Sequence, residues 1–198
     1  MPPYGACLLG SINLAALVKV PFTPEAGIDL EELNDLVTVA IRMLDNAIDS
    51  SRFPLPQQEH EAKAKRRVGL GVTGLADALI MCDARYGGQK AIALTKIWMA
   101  AVQRTAYLTS ARLAEEKEPF PLFNRDRYLE SQSIVALDEE VREAIAENGI
   151  RNALLTSVAP TGTISIIANN VSSGLEPVFS FSYTRNVLMP DGSRREEQ

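Results

Sequence analysis

The chain has 198 residues, 46% hydrophobic and 23% charged, with 20 basic against 25 acidic side chains and a formal charge of -5. That much apolar material builds a core and excludes wholesale disorder, and the acidic balance gives no electrostatic footprint for nucleic acid. No apolar run reaches the roughly 18 residues of a membrane span, and two cysteines, Cys7 and Cys82, are too few for a disulfide scaffold and point to a reducing, cytoplasmic setting.

In chain order, the opening MPPYGACLLGSINLAALVKVPF lacks the basic leader of a secretory signal. Cys7 to Val20, bounded by Pro3 and Pro21, reads as a buried strand or a short helix. Asp29 and Glu32 form a capping box, with Asp29 accepting backbone N–H groups and Glu32 reaching back. Apolar residues then recur at helical spacing from Leu30 to Ile48 and predict a helix over Leu30 to Asp49, stopped by Phe53-Pro54-Leu55-Pro56. A short polar helix is expected over Gln57 to Lys65, then VGLGVTG, then the helical run LADALIM. Ile92, Ala93, Ile97, Ala100, Ala101, Arg104, Leu108, Ala111 and Leu113 mark one face of a long helix from Lys90 to Lys117, ended by Pro119 and Pro121. The charged run Asp138 to Asn148 reads as a helix stopped at Gly149, and Ala153 to Ala159 as a buried strand. The tail from about 190 to 198, after the Pro190-Asp191-Gly192 turn, is expected to fray. With no repeat or dividing linker, residues 1–198 form one helix-rich α/β unit.

Four features are candidates for function. GLGVTG, residues 69–74, matches the dinucleotide fingerprint formally, but a polar KAKRRV precedes it and no second strand follows at the required distance; its glycines are expected to allow close strand–helix packing. Lys63, Lys65, Arg66 and Arg67 read as a solvated helix end. The one histidine, His60, lies in a polar run without Cys or Asp neighbours, so no metal site is expected. The segment Pro160-Thr161-Gly162-Thr163-Ile164-Ser165 carries more information. A buried strand delivers the chain to small residues with three hydroxyls and a glycine, where successive N–H groups can face one anion and a helix opening near Ile164 adds favourable partial charge. From the residues alone, that anion nest and a ligand-free hydroxyl-capped turn stand level. Cys7 and Cys82 read from their neighbours as buried small hydrophobes.

The segments PPYGACLLGSINLA, RMLDNAIDSSRFPLP, KRRVGLGVTGLADALIM, RNALLTSVAPTGTIS and NNVSSGLEPVFSFSYTR closely resemble the large catalytic chain of ribonucleotide reductases, in wording most like the adenosylcobalamin-dependent class II enzymes. The likeness runs from Pro2 to about Val187, and the pairing of APTGTIS with SSGLEP is specific at that separation. It implies a ten-stranded α/β barrel, of which this chain is a partial piece, and reduction of ribonucleotides by a thiyl radical that abstracts the ribose 3′-hydrogen. It also implies adenosylcobalamin as the cofactor of the full-length family, with no complete site for it here. By motif position Cys7 matches one of the two reducing cysteines, its partner lying upstream, and Ala159, Pro160, Thr161, Gly162, Thr163, Ile164 and Ser165 match the loop that holds the substrate phosphates. This raises the anion nest above the empty turn.

The family's Asn-Pro-Cys-Gly-Glu segment, with its radical cysteine, comes just before Pro-Pro-Tyr-Gly-Ala-Cys and is not among these residues. The chain is therefore expected to be a fragment from the second half of the barrel and inactive alone. The partners implied are a ribonucleotide, a thioredoxin-like reductant, and the rest of the reductase or further copies of the chain. Alternatives are a non-catalytic nucleotide- or phosphate-binding module, a split subunit completing a reductase in trans, and an interaction protein pairing through open strand edges.

Overall fold

The structure, a computed structural model, describes residues 3–178 and 180–197. The apolar opening divides into a strand, β1 (Leu8–Asn13), a 3-10 turn over Leu14–Leu17, and a short strand β2 (Val18–Lys19) that pairs antiparallel with β3 (Gly27–Ile28). Helix α1 (Leu30–Ser50) follows, and the Asp29 carboxylate accepts the N–H groups of Glu31 and Glu32 at 2.9 and 3.4 Å. Glu32 does not reach back as the capping box predicts: its carboxylate pairs with Lys19 at 2.7 Å, a charge brought alongside by the β2 turn. Leu33, Val37, Ile41, Leu44 and Ile48 form the buried stripe of α1, each worth about 1.5–3 kcal/mol once removed from water.

Helix α2 (Pro56–Lys65) leads into β4 (Val68–Thr73), which is buried at every position. It pairs parallel with β1 in the register Leu8↔Val68 to Asn13↔Thr73. On the far side of β4, residues 154–157 run parallel without completing a strand. The Val68 and Leu70 N–H groups donate to the carbonyls of Leu154 and Leu155 at 3.0 and 2.8 Å, and Ser157 N–H returns to Leu70 O at 3.0 Å. The expected strand over Ala153 to Ala159 is thus a single bridge, Leu70↔Thr156, with Leu155 buried and Leu154 and Val158 exposed. Covered on both faces, β4 shows no polar alternation, as a central parallel strand requires.

Helices α3 (Leu75–Met81) and α4 (Gln89–Lys117) come next, then the short α5 (Arg125–Leu129) and α6 (Gln132–Val135), both missed in the sequence, α7 (Glu139–Asn148) and α8 (Gly162–Ile167). The predicted buried face of α4 holds at Ala111 and Leu113, both fully buried, and fails in the first half of the helix. There Ile92 is 61% exposed and Ile97 50%, whereas Trp98 is 2% exposed and Val102 and Ala106 are buried on its side. Polar side chains share that face because each has a partner: Thr105 Oγ1 donates to Asn34 of α1 at 2.8 Å and Ser110 Oγ to Asn152 at 2.9 Å.

The tail also differs from expectation. β5 (Arg185–Leu188) and β6 (Arg194–Glu197) form an exposed antiparallel hairpin, turned at Gly192 (φ +81°), with the Asp191 carboxylate accepting Ser193 N–H at 2.9 Å. Gln198 lies outside the described residues.

The expected solvated end of α2 is instead a buried ionic clamp. Arg66, 4% exposed and in the left-handed conformation (φ 46°), donates to Asp45 at 2.8 Å and to both oxygens of Asp49 at 2.7 and 2.9 Å. Asn152 Nδ2 bridges Asp45 Oδ1 and Arg66 O at 2.9 and 3.0 Å, and Arg151 lies 3.4 Å from Asp45. The clamp ties α1, the head of β4 and the segment entering residue 154. Lys63 and Lys65 stay on the helix surface, paired with Glu59 and Glu61.

Candidate functional site

Strand alternation decides which side chains meet. A Cβ on Gly10 would touch Leu44 of α1 at 3.4 Å, so Leu8, Gly10 and Ile12 face the helices. Leu9, Ser11 and Asn13 project from the other face, beside Gly69, Gly71 and Thr73 in the parallel register. The Leu8 N–H donates to Arg67 O at 3.4 Å, which carries the register one step back and sets Cys7 beside Arg67 on this same face.

At the far end of the ladder, Thr73 organises the turn. Its hydroxyl donates to Ser172 O at 2.8 Å and accepts from Thr161 Oγ1 at 3.2 Å, and Thr161 Oγ1 accepts Gly174 N–H at 2.6 Å. Ser165 Oγ donates to Gly162 O at 3.0 Å and lies 3.1 Å from Ser173 Oγ. Segment 172–174 is anchored in turn to α3: Ser172 N–H donates to Asp77 at 2.5 Å, and Ser172 Oγ accepts Ala76 N–H at 3.1 Å. Asn13 Nδ2 donates to Ala168 O at 3.3 Å and holds the end of α8 to β1.

Thr161 is left-handed (φ 54°), rare for a β-branched residue, and its two hydroxyl bonds hold it there. A left-handed residue followed by helical ones turns successive N–H groups to one side, as in an anion nest. The first ladder bond of α8 runs from Ser165 N–H to Thr161 O at 2.7 Å, so the N–H groups of Gly162, Thr163 and Ile164 precede the ladder. These three residues are exposed, and a Cβ on Gly162 would meet nothing within 4 Å.

The predicted loop residues therefore divide. Thr161 (7% exposed) and Ser165 (3%) turn their hydroxyls inward to bind segment 172–174. Ala159 is half-buried with its carbonyl against Gly174, where a Cβ would come within 2.8 Å, and Pro160 is exposed. Gly162, Thr163 and Ile164 carry the amides that precede the α8 ladder.

Cys7 is a half-buried free thiol; burial pushes it up and the Arg67 guanidinium pulls it down. The run from Arg67 to Thr73 puts about 20 Å between Cys7 and the turn. The structure thus sets Cys7 on the same face as the turn but at the opposite end. Cys82 is buried and free, in keeping with a structural role, and His60 is exposed on α2.

Sequence reasoning missed Thr73, Asn13, Asp77 and Ser172, which build the turn from other elements. The available signal was two hydroxyl-rich segments, PTGTIS and SSG, close enough in the chain to pair. It also missed Ser11, whose buried hydroxyl has no hydrogen-bond partner.

The GLGVTG reading needs correction as well. Residues 69–73 lie in β4 and Gly74 is the left-handed N-cap of α3; Gly69 and Gly71 serve strand–strand rather than strand–helix approach: a Cβ on Gly71 would stand 2.5 Å from Ser157 O, and one on Gly69 2.8 Å from Ser157 Oγ. Two clefts flank this region along α4, of about 590 and 400 Å³, and Lys96 is the one charged residue lining either.

The family described as "Ribonucleotide reductase, barrel domain" matches residues 2–194. A vitamin B12-dependent ribonucleoside-diphosphate reductase of Mycobacterium tuberculosis is 39% identical over 186 residues, covering 94% of this chain and 24% of that protein. Its namesake from Thermoplasma acidophilum is 36% identical over 94% of this chain and 22% of its own length. The ribonucleoside-diphosphate reductase subunit alpha of Chlamydia muridarum is 30% identical over 92% of this chain and 19% of its own length. The chain spans about a quarter or less of the length of these relatives. The match takes in the strand after Cys7, the turn at Thr161 and most of the terminal hairpin, and the chain belongs to the ribonucleotide reductase family as part of its barrel domain.

Proposed function

We propose that this chain serves in a vitamin B12-dependent ribonucleoside-diphosphate reductase, where Gly162, Thr163 and Ile164 hold the substrate phosphates and Cys7 supplies one reducing thiol. The observation that carries the reading is the turn itself. The amides of three exposed residues precede the α8 ladder beside an open Gly162, while the Thr161 and Ser165 hydroxyls bond segment 172–174. Identities of 39% and 36% over 94% of the chain to reductases named vitamin B12-dependent favour that class.

Backbone N–H groups bind phosphate oxygens without charge of their own and impose position on them. Cys7 and the turn share one face of the ladder. In the reduction, two thiols give up two hydrogens and join as one disulfide, the ribose C2′–O bond breaks to release water, and a C2′–H bond takes its place. Cys7 is one thiol of that pair, and its partner belongs to another segment of the whole enzyme. A thioredoxin-like dithiol would restore both. The free state of Cys7 and Cys82 suits a reducing cytoplasm.

Adenosylcobalamin would generate the radical in the whole enzyme, but these residues do not fit it. The clefts beside β4 are mostly apolar, with Tyr86, Thr95, Gln103, Thr156 and Ser157 as neutral polar groups and Lys96 as their only charge, and of about 590 and 400 Å³ they are too small for a corrin. No step is assigned to it here. The remaining partner is the rest of the barrel: β1 has a free second edge among the described residues, and Leu9, Val158 and Ile167 are exposed apolar side chains.

The test is titration of a nucleoside diphosphate against the isotope-labelled chain. The Gly162, Thr163 and Ile164 amide resonances should move, Gly162→Ala should keep the response, and Gly162→Asp should abolish it through repulsion. Unmoved resonances at those amides would overturn the phosphate assignment.

A further inference from the structure

We infer that Arg67, paired with Glu61, is the charge that favours the Cys7 thiolate, and so acts as a positioning residue for thiol chemistry there. The inference rests on the reading of Cys7 as a reducing thiol and adds the group that controls it. Register carries the geometry: Leu8 pairs with Val68 and the Leu8 N–H donates to Arg67 O at 3.4 Å, so Cys7 and Arg67 are cross-strand neighbours on one face. The Arg67 side chain is largely buried, and its Nη1 donates to Glu61 Oε1 at 3.2 Å. That bond sets a compensating negative charge on the guanidinium.

Among the charged groups of the surrounding elements, Arg67 is the one that acts on the thiol, lowering its pKa against the larger upward push of burial. Glu61 and Lys65, on α2, act one step removed. Lys65 chiefly, with Arg67, holds the Glu61 carboxyl below its ordinary range, so it stays anionic and offsets part of the Arg67 charge. Tyr4, His60 and Glu61 line the adjoining groove. The ionisation is simple: the Cys7 S–H bond breaks, the proton passes to water, and the thiolate remains beside the guanidinium.

This arrangement predicts opposite effects for its two members. Alkylation of Cys7 by iodoacetamide, followed peptide by peptide across pH in the full chain, reads the thiolate fraction directly. Arg67→Gln should slow it about two- to fivefold near neutral pH and move its pH midpoint upward, and Arg67→Lys should recover most of the rate. Glu61→Gln, which frees the guanidinium from its carboxylate, should speed the reaction and move the midpoint downward. Cys82, buried on α3's end and served by Lys90, is the internal reference and should not change. Equal rates in all variants overturn the inference. So do Arg67→Gln and Glu61→Gln moving the rate in the same direction, or Cys82 rising together with Cys7, because either reports a loosened strand. The readout needs neither nucleotide nor turnover, so failed phosphate binding would leave it standing, and failed alkylation shifts would leave the turn untouched.

Discussion

The two ends of β4 are built from different materials. At its head, Arg66, Asp45, Asp49 and Arg151 meet as charges, with Asn152 filling the remaining hydrogen-bonding positions. At its tail, Thr73, Thr161, Ser165, Ser172 and Ser173 connect through neutral hydroxyls and backbone groups. A buried charge is tolerable only when paired, so the head uses its donors and acceptors internally and is closed to ligands. Neutral hydroxyls fix a backbone without that demand, and the first amides of α8 lie before its hydrogen-bond ladder.

The largest effect should come from the head. Asp45 is fully buried and takes bonds from Arg66 and Asn152, so Asp45→Ala removes the buried partner of Arg66 Nε and Asn152 Nδ2, leaves Asp49 as the one carboxylate bonded to Arg66, and should remove about 3–5 kcal/mol from stability in urea unfolding. A loss no larger than that of a surface substitution would erase the contrast between the ends.

A smaller effect separates two glycines. A Cβ on Gly71 would press to 2.5 Å on the Ser157 carbonyl, a backbone atom that cannot step aside, so Gly71→Ala should cost about 1–3 kcal/mol. Gly162→Ala at the turn meets open space and should stay within about 0.5 kcal/mol of the parent. Thermal melts of the pair would show whether the tail is as open as its geometry implies.

The smallest effect is a matter of pH. Hydrogen bonding to Arg66, above all, holds the half-exposed Asp49 carboxyl below its ordinary range. A depressed carboxyl contributes stability that is complete above the ordinary aspartate pKa and is lost as pH falls through the depressed value. Asp49→Asn should therefore flatten the acid side of the stability profile between about pH 5 and pH 2 and change its slope little near neutrality. Urea midpoints across that range would show it.

Much of the framework was legible in sequence. Helix α1 announced itself through Asp29 and its apolar spacing, and α7 through Gly149. The buried face of α4 was not legible, because Thr105, Thr109 and Ser110 look solvent-facing until their partners on other segments are known. Arg66 was misread for a similar reason. In a run of basic residues it looks solvated, and the one hint was Asp45, an acid on the otherwise apolar stripe of α1.

Sequence by itself determined the longer helices α1, α4 and α7 and the family to which they belong, since spacing, capping and motif are properties of neighbours in the chain. Tertiary structure alone decided which hydroxyls of the turn face inward, that Cys7 and the turn share a face at opposite ends of one ladder, and that Arg67 is the charge beside the thiol. The reason is physical: these outcomes depend on strand register and on partners far along the chain, and a buried polar group reveals its purpose only through what it bonds.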